Sequence, residues 1–430
     1  MSVERKNILI FPAGSEIGLE IFNSLKFNIH VNVFGASGKP DHARFIYPAD
    51  HYDEDDYYID SPLFLNKFNE LLQRWNISYI YPTHDSIVLW LAEHQEFLKA
   101  TVIGSPAETT RVARHKKLIY ELFKDANFCP IFFTEQNQPD EFPVFLKPDD
   151  GQGGKGTCSA RDFAELEIIL NANQGMVVTE FLPGEELSVD CFTDRHRRLR
   201  FVGPRTRERV TVGISYESET VPLSKEIEEI ANEINNRVKL RGAWFFQIKR
   251  DKGGNWKLLE FAARQSSTMG LYRQVGVNFA LLSFFDAMNF DVEIALNPLK
   301  AKLSRSLKNR YKLDYHFKKV FLDFDETVVI ENRVNTLAMA FIYQCINQSI
   351  PIVLLTKHRH DIVTSLKHFS IDPSLFEDIV VLKENQEKHE FIEGGESIFI
   401  DNYFFDRMKV SRHCKIPVFD VDAIESLVNE

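Results

Sequence analysis

The sequence predicts an α/β protein: a helix-covered parallel sheet near the N-terminus, a mixed α+β middle, and a second, doubly wound parallel sheet near the C-terminus. Three observations predict it. The first is alternation. An apolar strand at 7–11, a helical pattern, a strand at 29–34, a helix at 62–75 and a strand at 79–81 follow one another, the order that builds a parallel sheet covered by helices. The second is a later set of short apolar runs, 320–322, 352–355 and 397–400, ending in Asp323, Thr356 and Asp401; open α/β sheets place ligands at such carboxyl ends. The third is length: 430 residues suggest roughly three domains at about 150 residues each.

Bulk properties limit the function classes. Hydrophobic residues make up 44% of the chain and charged residues 26%, enough to bury ordinary cores. The formal net charge of −11 argues against nucleic acid or an anionic membrane as the main partner. The five cysteines form no C-x-x-C pair, as expected of a protein in a reducing cytoplasm. No stretch reads as a signal peptide or as a membrane span. There is no internal repeat and no low-complexity tract.

In the first region Pro12-Ala13-Gly14-Ser15-Glu16-Ile17-Gly18 follows the first strand. A third glycine is missing at the spacing a dinucleotide loop requires. The acidic run 50–60 reads as a solvated loop. His84 and Asp85 follow the strand at 79–81 and are candidates for substrate contact, with helix capping by Asp85 as the alternative.

Further on, Phe-Leu-Lys-Pro-Asp-Asp-Gly-Gln-Gly-Gly-Lys-Gly occupies 145–156. An apolar strand carries Lys147 at its end and runs into a loop with four glycines, among them Gly153 and Gly154. Such a loop approaches a ligand closely, and its N–H groups with a lysine can wrap phosphate oxygens. Two familiar loops are excluded. Gly151, Gly153 and Gly156 satisfy G-x-G-x-x-G, but β-prone Thr157-Cys158-Ser159 follows instead of a helix, and Gly154-Lys155-Gly156 lacks the Ser or Thr of a P-loop.

Upstream, 114–118 opens a helix running to about Ala126 and carrying Lys116. Downstream come the strand 177–182, then Glu185 and Glu186, then Gln247 and Glu260 on two further apolar strands. With these residues in this order, 5–300 resembles the ATP-grasp superfamily. The resemblance implies ATP and Mg²⁺ as cofactors, with Mn²⁺ as an alternative ion. Lys116 and Lys147 would meet the α- and β-phosphates, where fixed positive charge offsets the triphosphate. Glu180 and the backbone at Leu182 would meet adenine, and Glu186 the ribose diol. Glu260, with Gln247 beside it, would hold magnesium through hard oxygens. The chain departs from the family's Glu-x-Asn-x-Arg in one place, reading Glu260-Phe261-Ala262-Ala263-Arg264. Ala262 implies a weakened or water-completed second magnesium site. Arg264 remains to hold an acyl phosphate. Arg205, Arg207 and Arg209 alternate, so on one strand they would share a face; Arg205 and Arg207 are candidates for an anionic substrate, and a solvated strand face is the alternative.

Near the C-terminus the strand 320–322 ends in Asp323-Phe324-Asp325-Glu326-Thr327. Thr356, Lys388, Asp401 and Asp406 follow. This set resembles the haloacid dehalogenase superfamily of phosphatases. The resemblance implies that Asp323 attacks phosphorus, that Asp325 protonates the leaving oxygen and later activates water, and that Thr356 and Lys388 hold the phosphoryl oxygens. Asp323, Asp325, Asp401 and Asp406 would form a magnesium site. Lys383 rivals Lys388, which is preferred because Lys-His-Glu-Phe-Ile opens a helical pattern. The interval 327–352 leaves no room for a large cap. An inactive domain used for assembly is the alternative.

The expected domains are 1–105, a Rossmann-like domain preceding the ATP-grasp part; 106–300, the ATP-grasp part; 301–315, a basic linker or exposed helix; and 316–430, the haloacid dehalogenase-like part. The expected activity is bifunctional: an ATP-dependent carboxylate–amine ligase acting through an acyl phosphate, coupled to a phosphatase. The partners would be a small-molecule carboxylate and amine or a phosphorylated metabolite, with homo-oligomers left open. The alternatives are a kinase acting on a hydroxyl, opposed by the phosphatase, and a nucleotide-binding regulatory protein.

Overall fold

The computed structural model describes residues 5–151, 153–211 and 213–428; Gln152 of the glycine-rich run lies outside them. The chain divides into two compact units, Met1–Leu307 and Lys308–Glu430.

The first unit begins with a parallel five-stranded sheet in the order Tyr52–Glu54, Val31–Ser37, Lys6–Phe11, Tyr79–Pro82, Thr101–Val102. Its central strand is an unbroken apolar run because both faces are covered, and Ile8, Leu9, Ile10 and Phe11 are all buried. The Ser15 hydroxyl accepts from the Gly18 N–H at 3.0 Å and starts helix Glu16–Leu25. The acidic run 50–60 is not wholly loop, since Tyr52–Glu54 pairs with Gly35, Ala36 and Ser37 as an edge strand. Helix Phe279–Ala287 returns to this sheet, packing Ala280 and Phe284 against Ile8, Ile10 and Tyr81.

Two antiparallel sheets follow. The smaller has the order Phe132–Phe133, Met176–Glu180, Val144–Pro148, Cys158–Ala160, and the larger Leu199–Thr206, Glu186–Thr193, Gly242–Arg250, Trp256–Ala262. The larger sheet buries Trp244, Phe246 and Ile248 under helices Lys116–Phe123 and Lys225–Arg237. The helix expected to open at 114–118 begins at Lys116 and ends at Phe123, a little short of Ala126, and a separate helix, Ala107–Arg114, precedes it. Asp149 captures the N-terminus at Lys116: Lys117 N–H donates to Asp149 Oδ1 at 2.8 Å and Lys116 N–H to the Asp149 carbonyl at 3.1 Å.

The basic segment expected as a linker or helix starts as a strand. Lys302–Ser304 pairs with Ile214–Glu219, which pairs in turn with Glu208–Thr211. The first unit therefore reaches Leu307, and no helix lies between 301 and 315 among the described residues.

The second unit is a parallel sheet in the order Asp378–Val381, Ile352–Thr356, Lys319–Leu322, Ser397–Ile400, Val418–Phe419. Leu322 stands opposite both Leu354 and Ile400, so Lys319–Leu322 and Ser397–Ile400 end level while Ile352–Thr356 runs two residues farther. A short hairpin, Val329–Ile330 with Arg333–Val334, and helix Thr336–Asn347 occupy the interval after Thr327. Lys388 opens a short 3₁₀ turn, Lys388–Phe391, where a longer helical pattern was expected. All five cysteines are free thiols. No helix among the described residues is long and apolar enough to cross a membrane.

Candidate functional site

In the first unit the larger sheet fixes one face of the site. Its register sets Ser188 opposite both Arg205 and Gln247, and Gln247 opposite Glu260. Glu186, two residues from Ser188, shares that face by the period-two rule of strands.

The two lysines arrive from separate elements. Lys147, next to last in its strand, is 6% exposed, donates to the Leu259 carbonyl at 2.8 Å, and lies 5.1 Å from the Tyr120 ring. Burial brings its pKa down to about 8; Glu260 opposes the fall and Lys116 adds to it. Lys116 opens its helix, also 6% exposed, donates to the Gly151 carbonyl at 2.9 Å, and lies 3.4 Å from Glu260 Oε2. Lys116, Lys147, Gln247 and Glu260 thus come together. The glycine loop approaches from outside. Gly154 takes φ +71°, and a Cβ on Gly213 would sit 2.3 Å from the Gly153 Cα, so the loop and the 213 turn touch backbone to backbone.

Several expected contact residues are already engaged within the protein. The Glu180 carboxylate accepts from the Ile131 N–H at 2.8 Å, which commits its side chain to holding the hinge; Leu182 is buried. Glu186 pairs with Arg207 at 2.6 Å, and Arg207 also donates to Ser188 Oγ and to the Gly213 carbonyl, each at 3.2 Å. Arg205 does not line an open pocket. It is 2% exposed and gives Asp190 two hydrogen bonds, at 2.7 and 3.1 Å, because that buried carboxylate stands one pleat away on the same face. The expected alternation of arginines along one strand fails as well. The strand ends at Thr206, and Arg209 resumes on the next strand with φ +44°, pairing with Glu217.

Arg264 makes a two-point pair with Asp85 at 2.5 and 2.7 Å and lies 5.4 Å from the Phe245 ring. Burial alone would raise the Asp85 pKa, but the Arg264 charge and hydrogen bonds hold it below the ordinary carboxylate range. Asp85 opens helix Asp85–Glu93 with its carboxylate on Arg264, and exposed His84 is the N-cap residue without a side-chain cap bond. At the first loop the Gly14 N–H donates to Asp41 Oδ2 at 3.1 Å, and a Cβ on Gly14 would collide with that carboxylate. The Asp41 carboxylate thus occupies the space beside the Gly14 backbone.

The second unit holds a tighter cluster. Asp323, Thr356 and Asp401 follow or end the three central strands, and Lys388 joins them. Its Nζ lies 2.6 Å from Asp323 Oδ1, 2.5 Å from Asp401 Oδ2 and 3.9 Å from Asp406 Oδ2. Burial pushes Asp323 up to about 7 against the opposing charge of Lys388. Lys388 itself is held above its ordinary value, since the two carboxylates outweigh burial. Thr356 is fully buried, and its hydroxyl oxygen finds no hydrogen-bond partner among the described residues. Asp325 is about half exposed and meets His358 Nδ1 at 2.9 Å, while His358 Nε2 lies 2.8 Å from Ser365 Oγ. His358 and Lys357 were not singled out from sequence. Their signal was their place just after Thr356, and Lys357 Nζ lies 4.0 Å from Asp406.

The donor chemistry at both places is hard oxygen, the kind Mg²⁺ prefers. Among the described residues no group of three His, Cys, Asp or Glu side chains is spaced to hold a metal ion. Magnesium commonly uses one or two carboxylates completed by water and substrate phosphate, and Glu260 with Gln247, or Asp323 with Asp401, fits that lighter arrangement.

Residues 172–310 match a family model described as ATP-grasp in the biosynthetic pathway with Ter operon. Among solved structures the chain is similar to a biotin carboxylase–βγ-ATP complex from Campylobacter jejuni, with 17% identity, 69% of this chain and 74% of that chain covered, and a TM-score of 0.55. A biotin carboxylase domain of 2-oxoglutarate carboxylase from Hydrogenobacter thermophilus, with MgADP, ADP and bicarbonate, matches at 16% identity over 67% and 70% of the two chains, TM-score 0.53. An L-amino acid ligase from Bacillus licheniformis matches at 16% over 66% and 74%, TM-score 0.52. No curated protein matches the chain. At these identities the likeness is one of fold, and the family model supports an ATP-grasp assignment for residues 172–310.

Proposed function

We propose that the chain is a bifunctional enzyme: 106–300, with 1–105 before it, acts as an ATP-dependent carboxylate–amine ligase, and 316–430 as a phosphatase of the haloacid dehalogenase type. The observation that carries the ligase reading is the convergence of buried Lys116 and Lys147 on Glu260 and Gln247 beneath the glycine loop. The similar structures include an L-amino acid ligase and a carboxylase bound to bicarbonate, which supports small carboxylates and amines as the substrate class.

Lys116 and Lys147 hold the phosphates of ATP. Gly153 and Gly154 close over them, and the main chain near Leu182 and the carboxylate of Glu186 receive adenine and ribose. A carboxylate oxygen of the substrate attacks the γ-phosphorus and ADP leaves. An amine then attacks the acyl carbon, phosphate departs, and the amine's proton is lost. Glu260 and Gln247 would hold magnesium, which would supply positive charge to offset the phosphates of ATP. Ribose binding redistributes the Glu186–Arg207 pair, freeing Arg207 for an anion.

In the second unit Asp323 attacks phosphorus and the ester oxygen leaves with a proton from Asp325. The phosphoaspartate is then hydrolysed by water that Asp325 deprotonates. Thr356, with its unpartnered hydroxyl, and Lys388 hold the phosphoryl oxygens. Asp323, Asp401 and Asp406 would hold magnesium, which screens the phosphate from the attacking carboxylate.

Two observations favour the regulatory alternative: Arg264 is committed to Asp85, and Ala262 lacks the usual side-chain oxygen. The discriminating experiment is ADP release by Asp323→Asn protein with Mg-ATP across carboxylic acids, with and without amines. ADP formed only with acid and amine together is the expected result. A stable phosphorylated product without amine would select the kinase, and ATP binding without ADP release from any pair would select the regulatory reading. Lys147→Ala should reduce ADP release at least a hundredfold, the loss expected when a charge positioned on the transferring phosphate is removed.

A further inference from the structure

Beside the carboxylate cluster of the second unit stands an unusual surface. The residues between Asp401 and Asp406 include three consecutive aromatic side chains, Tyr403, Phe404 and Phe405, which are 53%, 55% and 59% exposed. Water contact at three adjacent large rings has a free-energy cost that an ordinary surface avoids. The run is tied to the site by its backbone, since the Tyr403 N–H donates to Asp401 Oδ1 at 2.6 Å. Helix Phe404–Cys414 then returns Asp406 to the cluster, 3.9 Å from Lys388 Nζ. The rings also support one another, with Phe405 5.5 Å from Tyr403 and 5.6 Å from Phe404. They form a small aromatic shelf at the carboxyl end of the sheet, where ligands of open α/β sheets lie.

The neighbouring strand end supplies the opposite character. Lys357 and His358 follow Thr356, and Arg359 and His360 beyond them are exposed. Only a short hairpin and one helix fill the interval after Thr327, so nothing of cap size is built there to contact a leaving group. What lies next to the phosphate position is an apolar shelf of tilted and edge-on rings on one side and cationic groups on the other.

We propose that this shelf is the leaving-group site of the phosphatase, and that its substrate is a phosphomonoester whose alcohol carries a planar ring, as in an aryl phosphate or a nucleoside monophosphate. The ring packs against the nearly perpendicular Phe404 and Phe405 rings, face to one and edge to the other, while the phosphate sits at Asp323, Thr356 and Lys388. The inference rests on the phosphatase reading above and adds the substrate class to it.

The test is phosphate release by the full-length chain with magnesium from four compounds: phenyl phosphate, adenosine 5′-monophosphate, glycerol 3-phosphate and acetyl phosphate. The expected result is a higher kcat/KM for the two ring-bearing esters than for glycerol 3-phosphate. Phe404→Ala and Phe405→Ala should each lower that advantage about tenfold, in the range measured for stacking of a base on an aromatic side chain, while acetyl phosphate hydrolysis is unchanged. Equal rates on ring-bearing and aliphatic esters, or an equal loss on all four compounds in the variants, would overturn the proposal and leave the phosphatase reading standing. No phosphate from any compound, acetyl phosphate included, would remove the phosphatase reading and the proposal with it. A change of mass in solution caused by either variant, with unaltered selectivity, would assign the shelf to contact between copies of the chain and overturn the proposal as well.

Discussion

Lys147 shows what burial does to a charge kept for a ligand. Its amino group donates to one carbonyl and lies by an aromatic ring with Glu260 and Lys116 near, and burial lowers its pKa from 10.5 to about 8. Between those two pH values the unfolded chain binds the proton and the folded chain does not, so stability rises with pH across that window. Below pH 8 the lysine is charged in both states and the cost of burying it is fully present. Bound phosphates reverse the preference, because they stabilise the charged form. ATP affinity should therefore fall as pH rises above 8, by up to about tenfold per unit. Lys147→Arg, which stays protonated, should flatten the profile. Calorimetric titration at pH 7.5, 8.5 and 9.5 checks this; an identical decline in the arginine variant would place Lys147 away from the phosphates.

At the scale of elements, what was legible followed from local pattern and what was not followed from contacts distant in sequence. The parallel strands were readable because burial on both faces writes continuous apolar runs, as at Lys6–Phe11 and Ile352–Thr356. The lysine strand, the glycine loop and the acidic strand ends were readable because each carries its chemistry at an element's end. The start of the helix at Lys116, not at Arg114, was not, since its cause is Asp149, more than thirty residues away. Nor was the fate of Arg205. Its spacing from Arg207 and Arg209 suggested a common exposed face, but only the register of the sheet reveals that Asp190 stands within reach. That pair has a testable energetic signature. Arg205→Met should destabilise the protein by about 3–5 kcal/mol, because it leaves a buried carboxylate unpaired. Arg205→Met with Asp190→Leu should recover most of the loss. Denaturant titration of the two proteins decides it: equal stabilities would mean that the cost comes from lost packing, not from the stranded charge.

At the scale of the molecule, each unit has its own hydrophobic core. One core lies under the sheet that carries Trp244 and Phe246, and another around Val320, Leu322, Leu354 and Ile400. Contacts within Met1–Leu307 and within Lys308–Glu430 separate the chain cleanly at 307, a little beyond the boundary at 300 that the basic composition suggested, because Lys302–Ser304 is held as a strand of the first unit. A ligand stabilises only the cooperative unit that binds it, by an amount set by its concentration relative to Kd, about 2.7 kcal/mol at a hundredfold excess. Scanning calorimetry should accordingly show two transitions. Mg-ATP should raise only the one lost when residues 308–430 are kept and the rest is removed, while a phosphate mimic with magnesium should raise only the other. If Mg-ATP moved both transitions together, the units would unfold as one, and the two activities would have to be treated as coupled through folding and not merely joined by the chain.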